Sequence, residues 1–166
     1  MYQMKVCMLG SFGVGKTSLV QRFVKSIFSE KYHTTLGVKV DKKELQVGGQ
    51  DVTMMLWDIH GEEAVKKVKM SYLRGASGYL LVVDGTRKET IDVALELRQR
   101  VSDEIGLLPL VFVLNKADLV DDWEITNSVE QQLKAMGFPV LRSSALSGEG
   151  VELAFSLLAE AAMRES

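Results

Sequence analysis

The stretch Gly10-Ser11-Phe12-Gly13-Val14-Gly15-Lys16-Thr17 fits the pattern G-x-x-x-x-G-K-[ST] at every fixed position. A compact apolar run precedes it at residues 6–9, and a segment with helical spacing follows at residues 16–25. In that context the glycines let backbone N–H groups point at phosphate oxygens, and the helix N-terminus adds partial positive charge. The stretch therefore predicts a phosphate-binding loop, with Lys16 on the β- and γ-phosphates and Thr17 on Mg²⁺. The alternative is a glycine-rich turn that matches by chance.

Outward from this loop, short apolar runs alternate with longer amphipathic segments. Strands are predicted at residues 6–9, 38–47, 52–57, 79–83, 110–114 and 138–141, and helices at residues 16–25, 91–105, 125–136 and 151–163. Gly48-Gly49 predicts a hairpin between two of the strands, and Gly137 a helix C-cap. The alternation predicts one α/β domain over residues 1–166, with a mostly parallel sheet, helices on both faces and one antiparallel edge strand. Ligands of such sheets bind beyond the carboxyl ends of the strands.

Composition excludes several other classes of protein. The net charge of −2 argues against a nucleic-acid binder driven by electrostatics, and the single cysteine, Cys7, cannot form an internal disulfide. No apolar stretch approaches the roughly 20 residues of a membrane-spanning helix. Tyr2 is incompatible with N-myristoylation, and the last residues offer no cysteine for prenylation. We expect a cytoplasmic protein with no direct lipid anchor, either whole or one domain of a longer chain.

A second motif, Asn115-Lys116-Ala117-Asp118, follows the predicted strand at residues 110–114. An aspartate carboxylate can accept hydrogen bonds from the N1–H and the 2-amino group of guanine, and adenine offers neither donor. We expect Asp118 to select guanine, Lys116 to lay its stem on the base, and Asn115 to connect this loop to the phosphate loop. The alternative is a polar loop that starts the next helix, with Asp118 as its cap. Ser143-Ser144-Ala145-Leu146 is expected to complete the pocket, with the Ala145 N–H donating to guanine O6.

Together these segments resemble the Ras-superfamily small GTPases, and the Rab branch most of all. The resemblance lies in residues 10–18, 32–38, 57–62, 115–118 and 143–146. It implies a P-loop three-layer sandwich with a six-stranded sheet, a GTP/GDP cycle, Mg²⁺, protein effectors, and exchange and activating factors. The absence of a lipidation tail departs from typical Rab proteins and would fit a prokaryotic relative.

The resemblance also assigns roles to single residues. It implies a nucleotide site made of Gly13, Val14, Gly15, Lys16, Thr17, Ser18, Phe28, Tyr32, Thr35, Gly61, Asn115, Lys116, Asp118, Ser144, Ala145 and Leu146. Phe28 would pack on the guanine and Tyr32 would lie over the phosphates. Thr17, Thr35 and Asp58 would hold Mg²⁺, Asp58 through a water molecule and Thr35 only when GTP is present. The alternatives are a solvated loop threonine at 35 and a helix-capping aspartate at 58.

Two positions depart from the family pattern near the third phosphate. Glu62 stands where the family has a glutamine that orients the attacking water, and Phe12 stands where it has a small residue. The expected catalytic set is Glu62, Lys16 and Gly61, with slow GTP hydrolysis in the absence of a partner. For Glu62 the alternative is that it and Glu63 are two acids in the first turn of a helix. The alternatives are a GTP-binding scaffold that does not hydrolyse, because of Phe12 and Glu62, and a P-loop kinase, for which the chain has no spare lid or acceptor segment. His60 is expected to be a solvated loop residue.

Overall fold

The computed structural model of the protein describes residues 2–25, 37–59 and 68–165. Its strands are β1 (Tyr2–Gly10), β2 (Val38–Val47), β3 (Gln50–Ile59), β4 (Gly78–Asp84), β5 (Leu110–Asn115) and β6 (Val140–Arg142). Its helices are α1 (Lys16–Lys25), α2 (Glu89–Glu104), α3 (Asn127–Ala135) and α4 (Val151–Glu165), with 3-10 turns at Met70–Leu73 and Val120–Asp122. Across these three ranges, no helix has both the length and the apolar character needed to span a membrane.

The six strands form one sheet in the order β2-β3-β1-β4-β5-β6. All neighbouring strands are parallel except β2 and β3, which pair antiparallel at one edge. Gly48 and Gly49 have φ angles of 58° and 82°, which two-residue hairpins of the right twist require. The predicted α/β fold with one antiparallel edge strand is therefore confirmed.

Some element boundaries differ from the predicted ones. β1 begins at Tyr2 rather than at residue 6, because the alternating residues before the apolar run also pair with β3. Helix α3 begins at Asn127 rather than at residue 125, because the Thr126 side chain accepts the Val129 N–H and caps the helix there. β6 covers Val140–Arg142 instead of residues 138–141, and the ring of Phe138 stacks on Phe112 at 6.0 Å.

The sheet is covered on both faces, as the continuous apolar runs of its central strands require. Every residue of β4 is buried. On one face α1 and α4 pack together, and the rings of Phe23 and Phe155 stack with centroids 4.1 Å apart. On the other face α2 and α3 cover Phe112 and its neighbours. These two layers fix the carboxyl ends of β1, β3, β4 and β5 at one edge of the sheet, where the predicted motifs lie.

Candidate functional site

The glycine loop connects the end of β1 to the start of α1, and Gly15 shows why one position cannot carry a side chain. Its φ angle is 102°, a conformation that residues with a Cβ rarely adopt. A Cβ at this position would lie 2.3 Å from Nδ2 of Asn115. Nδ2 of Asn115 therefore occupies the space that a side chain at position 15 would need, and only glycine fits there.

Side chains hold the carbonyl groups of this loop one after another. Nζ of Lys16 donates to the carbonyl oxygens of Gly10 and Ser11, both at 3.1 Å. Further along the loop, Nδ2 of Asn115 donates to the carbonyl oxygen of Val14 at 3.0 Å. The C=O and the following N–H of a planar trans peptide point to opposite sides. The Val14 carbonyl, bonded to Asn115, thus directs the N–H of Gly15 away from Asn115, where that N–H can meet an anion.

Two further cations complete this set of contacts, and sequence reasoning did not anticipate either contact. Nη2 of Arg87 donates to the carbonyl oxygen of Phe12 at 2.8 Å, and Nζ of Lys116 donates to that of Gly13 at 3.0 Å. Both cations also pair with Asp84, the last residue of β4. One signal for this cluster was present in the sequence: Asp84 ends β4, and the two strands beside it, β1 and β5, are both followed by predicted site residues.

Lys16 is the most deeply buried cation of the site, with 6% of its surface exposed. Burial lowers the pKa of its ammonium to about 8; the charge of Asp58 opposes that change, and the charge of Arg87 adds to it. A cation that loses this much hydration has a strong preference for a nearby anion. The predicted placement of Lys16 against phosphate oxygens is consistent with that environment.

The side of the site near β3 offers oxygen ligands. Oγ1 of Thr17 donates to Oδ2 of Asp58 at 2.5 Å, and Asp58 is buried inside β3. A hydroxyl and a carboxylate at contact distance are the hard oxygen donors that Mg²⁺ prefers, so these residues fit the ion. In the part of the chain that the structure describes, no three His, Cys, Asp or Glu residues are grouped to hold a metal. In proteins Mg²⁺ usually takes its other ligands from phosphate groups and water.

The second motif is bonded to the loop after β6. Oδ1 of Asn115 accepts the Ser143 hydroxyl at 3.0 Å, and Oδ1 of Asp118 accepts the Ser144 hydroxyl at 2.8 Å. The Ala117 N–H donates to the Ser143 carbonyl at 2.9 Å. The predicted link from Asn115 to the phosphate loop is thus present in the contact with Val14. The alternative role for Asp118 as a helix cap is wrong, because Thr126 caps the following helix.

Lys116 has a φ angle of 70°, and no other residue with a side chain has a positive φ in the described ranges. This conformation turns the chain sharply after β5, so that the ammonium group points back at Gly13 and Asp84. These contacts at Nζ fix the end of the Lys116 side chain. The placement of its stem against the base stays a prediction. Next to it, Asp118 and Leu146 are exposed, whereas Ala145 is buried.

Several predicted residues lie outside the described ranges. They are Phe28, Tyr32, Thr35, His60, Gly61 and Glu62. The residues that the structure does bring together are Gly13 to Ser18, Asp58, Asn115 to Asp118 and Ser144 to Leu146, at one edge of the sheet.

Comparison with known proteins agrees with this geometry. The model of the Ras family matches residues 5–164. The Ras-related protein RABA2d of Arabidopsis thaliana is 36% identical over 165 residues, which are 96% of this chain and 75% of that protein. The Ras-related protein SEC4 of Saccharomyces cerevisiae is 32% identical over 161 residues, or 95% of this chain and 74% of that protein. The Ras-related protein Rab-4A of Mus musculus is 36% identical over 159 residues, which are 91% of this chain and 70% of that protein. The chain therefore belongs to the Ras family of small GTP-binding proteins, near its Rab members.

Proposed function

We propose that this protein is a guanine-nucleotide switch that hydrolyses GTP slowly when alone and recruits protein effectors according to the bound nucleotide. The observation that carries the proposal is the bonding of Asn115 to both Val14 and Ser143, at 3.0 Å each. This residue connects the loop suited to phosphates with the two loops suited to a purine. A site with that connection binds the two ends of one ligand, a nucleoside phosphate.

Within this proposal the amides of residues 13–18 and Lys16 bind the phosphates. Thr17 and Asp58, with Thr35 from the family resemblance, hold Mg²⁺, which neutralises phosphate charge. The carboxylate of Asp118 pairs with guanine, and the Ala145 N–H donates to the base oxygen. Asp118 keeps an exposed carboxylate beside Ser144, so its orientation is already set by the hydroxyl contact.

Base selectivity is the first test of the proposal. Wild-type protein is expected to bind GTP and GDP and to discriminate strongly against ATP in calorimetry with Mg²⁺. Asp118→Asn should lower GTP affinity by about 100-fold, because it removes the negative charge and turns one of the two acceptor oxygens into a donor, and for the same reason it should favour xanthine nucleotides. Asn at 118 can still accept the Ser144 hydroxyl, so the loop contact is retained. Asp122→Asn, an exposed acid in the same segment, is the matched control. Equal affinities for ATP and GTP would contradict the proposal.

Hydrolysis is the second test, and it concerns the proposed catalytic set of Lys16, Gly61 and Glu62. A carboxylate beside the γ-phosphate is repelled by its charge, and phosphoryl transfer gains little from a strong base. Single-turnover conversion of GTP to GDP should therefore take on the order of minutes to hours, as in relatives without an activating partner. Glu62→Gln should preserve or raise the rate, and Glu63→Gln should leave it unchanged. A large loss in Glu62→Gln alone would show that the carboxylate takes part, and no conversion at all would indicate a scaffold.

The switching role is supported by the family resemblance of Thr35 and Gly61, two residues that lie outside the described ranges. By resemblance, Thr35 binds Mg²⁺ only when GTP is bound and the Gly61 N–H meets the γ-phosphate, and loss of the third phosphate removes both contacts. A partner that binds only the GTP form then reads the nucleotide state. The direct measurement is co-precipitation with protein loaded with GDP or with a non-hydrolysable GTP analogue. Identical sets of bound proteins in the two states would contradict a switch.

A further inference from the structure

A buried carboxylate at the end of β4 organises two cations beside the phosphate loop. Asp84 is 1% exposed, and its Oδ2 lies 2.8 Å from Nζ of Lys116 and 3.0 Å from Nε of Arg87. Its Oδ1 accepts the Thr86 N–H at 2.9 Å and the Thr86 hydroxyl at 2.6 Å. Burial by itself would raise the pKa of this carboxyl, but the hydrogen bonds from Lys116 and Thr86 outweigh burial and hold the pKa below its ordinary value. The carboxylate therefore stays ionised and fixed by four donors.

Each cation also donates to one carbonyl of the phosphate loop, and the two carbonyls belong to consecutive residues. Arg87 reaches the carbonyl of Phe12, and Lys116 reaches that of Gly13. The guanidinium of Arg87 spans the two groups, with Nε on Asp84 and Nη2 on Phe12. A Cβ on Gly13 would lie 3.5 Å from that Nη2, so the guanidinium also packs against the loop backbone. The donors of a guanidinium lie on separate nitrogens in fixed directions, so one group can reach two acceptors that stand apart, whereas the Lys116 ammonium makes both of its contacts from one nitrogen.

The consequence for the loop follows from peptide geometry. Because the Phe12 carbonyl is bonded to Arg87, the N–H of Gly13 points to the opposite side of the peptide plane. That is the direction a phosphate-binding amide must take if the carbonyls are held outside the pocket. Arg87 also acts within the pocket at a distance, because its charge contributes to lowering the pKa of Lys16.

We propose that Arg87 is a positioning residue for the nucleotide phosphates, which fixes the peptide between Phe12 and Gly13 and thereby slows release of the bound diphosphate. This inference rests on the proposed binding of guanine nucleotides. The side chain of Arg87 is 38% exposed and that of Asp84 is 2% exposed, so the pair is neither fully buried nor a simple surface ion pair. In this half-buried setting, we expect the charge-assisted hydrogen bond of Arg87 to contribute a free energy at the lower end of the range usual for hydrogen bonds to charged groups.

The test is the rate at which a fluorescent GDP analogue leaves the Mg²⁺-loaded protein when excess GDP is added. Arg87→Met keeps the length of the side chain and removes its charge and donors. It should release GDP about tenfold faster than wild type, a change equivalent to about 1.4 kcal/mol. Arg87→Lys keeps the charge but cannot span Asp84 and Phe12 as the guanidinium does, and it should fall between the two. Arg100→Met is the matched control, because it removes an arginine–glutamate pair of 2.7 Å within helix α2.

A second readout separates positioning of the phosphates from general support of the fold. If Arg87 positions the amide of Gly13 for the phosphates beyond the first, Arg87→Met should weaken GDP binding more than GMP binding in competition assays. If Arg87 only supports the fold, thermal stability should fall and both ligands should be affected equally. Equal losses for GMP and GDP, or GDP release within about twofold of the Arg100→Met control, would overturn the inference.

The outcomes also distinguish this inference from the proposed function. Wild-type protein that binds no guanine nucleotide would overturn both. Wild-type protein that binds GDP tightly while Arg87→Met and Arg87→Lys release it at the wild-type rate would overturn only the role of Arg87. If Arg87→Met does not fold, the Arg87→Lys variant decides alone: faster GDP release at unchanged thermal stability supports the inference, and wild-type release overturns it.

Discussion

Replacing Asn115 with alanine should destabilise the protein by an amount that its contacts allow us to estimate. Asn115 is 2% exposed and makes two side-chain hydrogen bonds of 3.0 Å, to the Val14 carbonyl and from the Ser143 hydroxyl. A hydrogen bond contributes a net of about 1 kcal/mol, and a buried polar group left without a partner costs about 1 kcal/mol more. Ser143 is 0% exposed, so its hydroxyl has no easy access to water. The sum predicts a loss of about 3 kcal/mol in the free energy of unfolding of Asn115→Ala.

Urea unfolding followed by circular dichroism measures this loss directly. For a domain of this size, about 3 kcal/mol corresponds to a melting temperature lower by about 6–12 °C, which thermal unfolding should reproduce. Asn127→Ala is the matched control, because Asn127 is exposed at the start of α3 and its replacement should change stability by less than about 0.5 kcal/mol. A loss below about 1 kcal/mol in Asn115→Ala would refute the claim that the three loops depend on this amide.

Two other substitutions test neighbouring features. Gly15→Ala should abolish tight nucleotide binding in calorimetry, because it combines an unfavourable φ of 102° with a Cβ only 2.3 Å from Asn115. Gly106→Ala is the control for backbone strain alone, since Gly106 has a φ of 132° and no atom lies within 4 Å of the added Cβ; this variant should bind nucleotide normally. Asp84→Asn should reduce stability at neutral pH, and urea titrations at several pH values should show where that difference disappears. Since the folded-state pKa of Asp84 is below its unfolded value, its contribution to the free energy of unfolding is complete above about pH 5 and is lost as the pH falls through the folded pKa. A difference in stability between wild type and Asp84→Asn that stays constant down to pH 2 would contradict the ion-pair cluster.

The sequence predicted the fold well because the determining signals are local. Each strand of the parallel sheet is a short apolar run that ends in a glycine or polar segment, and the hairpin depends on the adjacent pair Gly48-Gly49. The start of α3 was predicted two residues early, because the apolar pattern includes Ile125, whereas the side chain of Thr126 caps the helix and sets its first residue. The short β6 was displaced because its pairing with β5, rather than its own apolar pattern, determines where it begins.

The site was predictable only where a motif carries the chemistry in consecutive residues. Residues 10–17 and 115–118 are such motifs, and the contact between Asn115 and Val14 followed from their expected roles. The cluster around Asp84 was not predicted, because its partners are far apart in the chain and become neighbours only when β4, β5 and the phosphate loop are assembled. Arg87 and Phe12 are 75 residues apart, and Lys116 and Gly13 are 103 residues apart. The positions of these residues in the sequence therefore gave no signal that they are in contact.

The left-handed turn at Lys116 affects the distance between the two ends of the proposed nucleotide site. A residue with a side chain is held in this conformation at a cost of roughly 1–2 kcal/mol, which its contacts with Asp84 and Gly13 offset. One tight bend thereby sets the spacing between Asn115, which is bonded to the phosphate loop at Val14, and Asp118, which we propose reads the base. Adding a single residue to this bend would shift one end of the pocket against the other. Such an insertion would leave both groups of side chains intact and still unable to hold the same nucleotide.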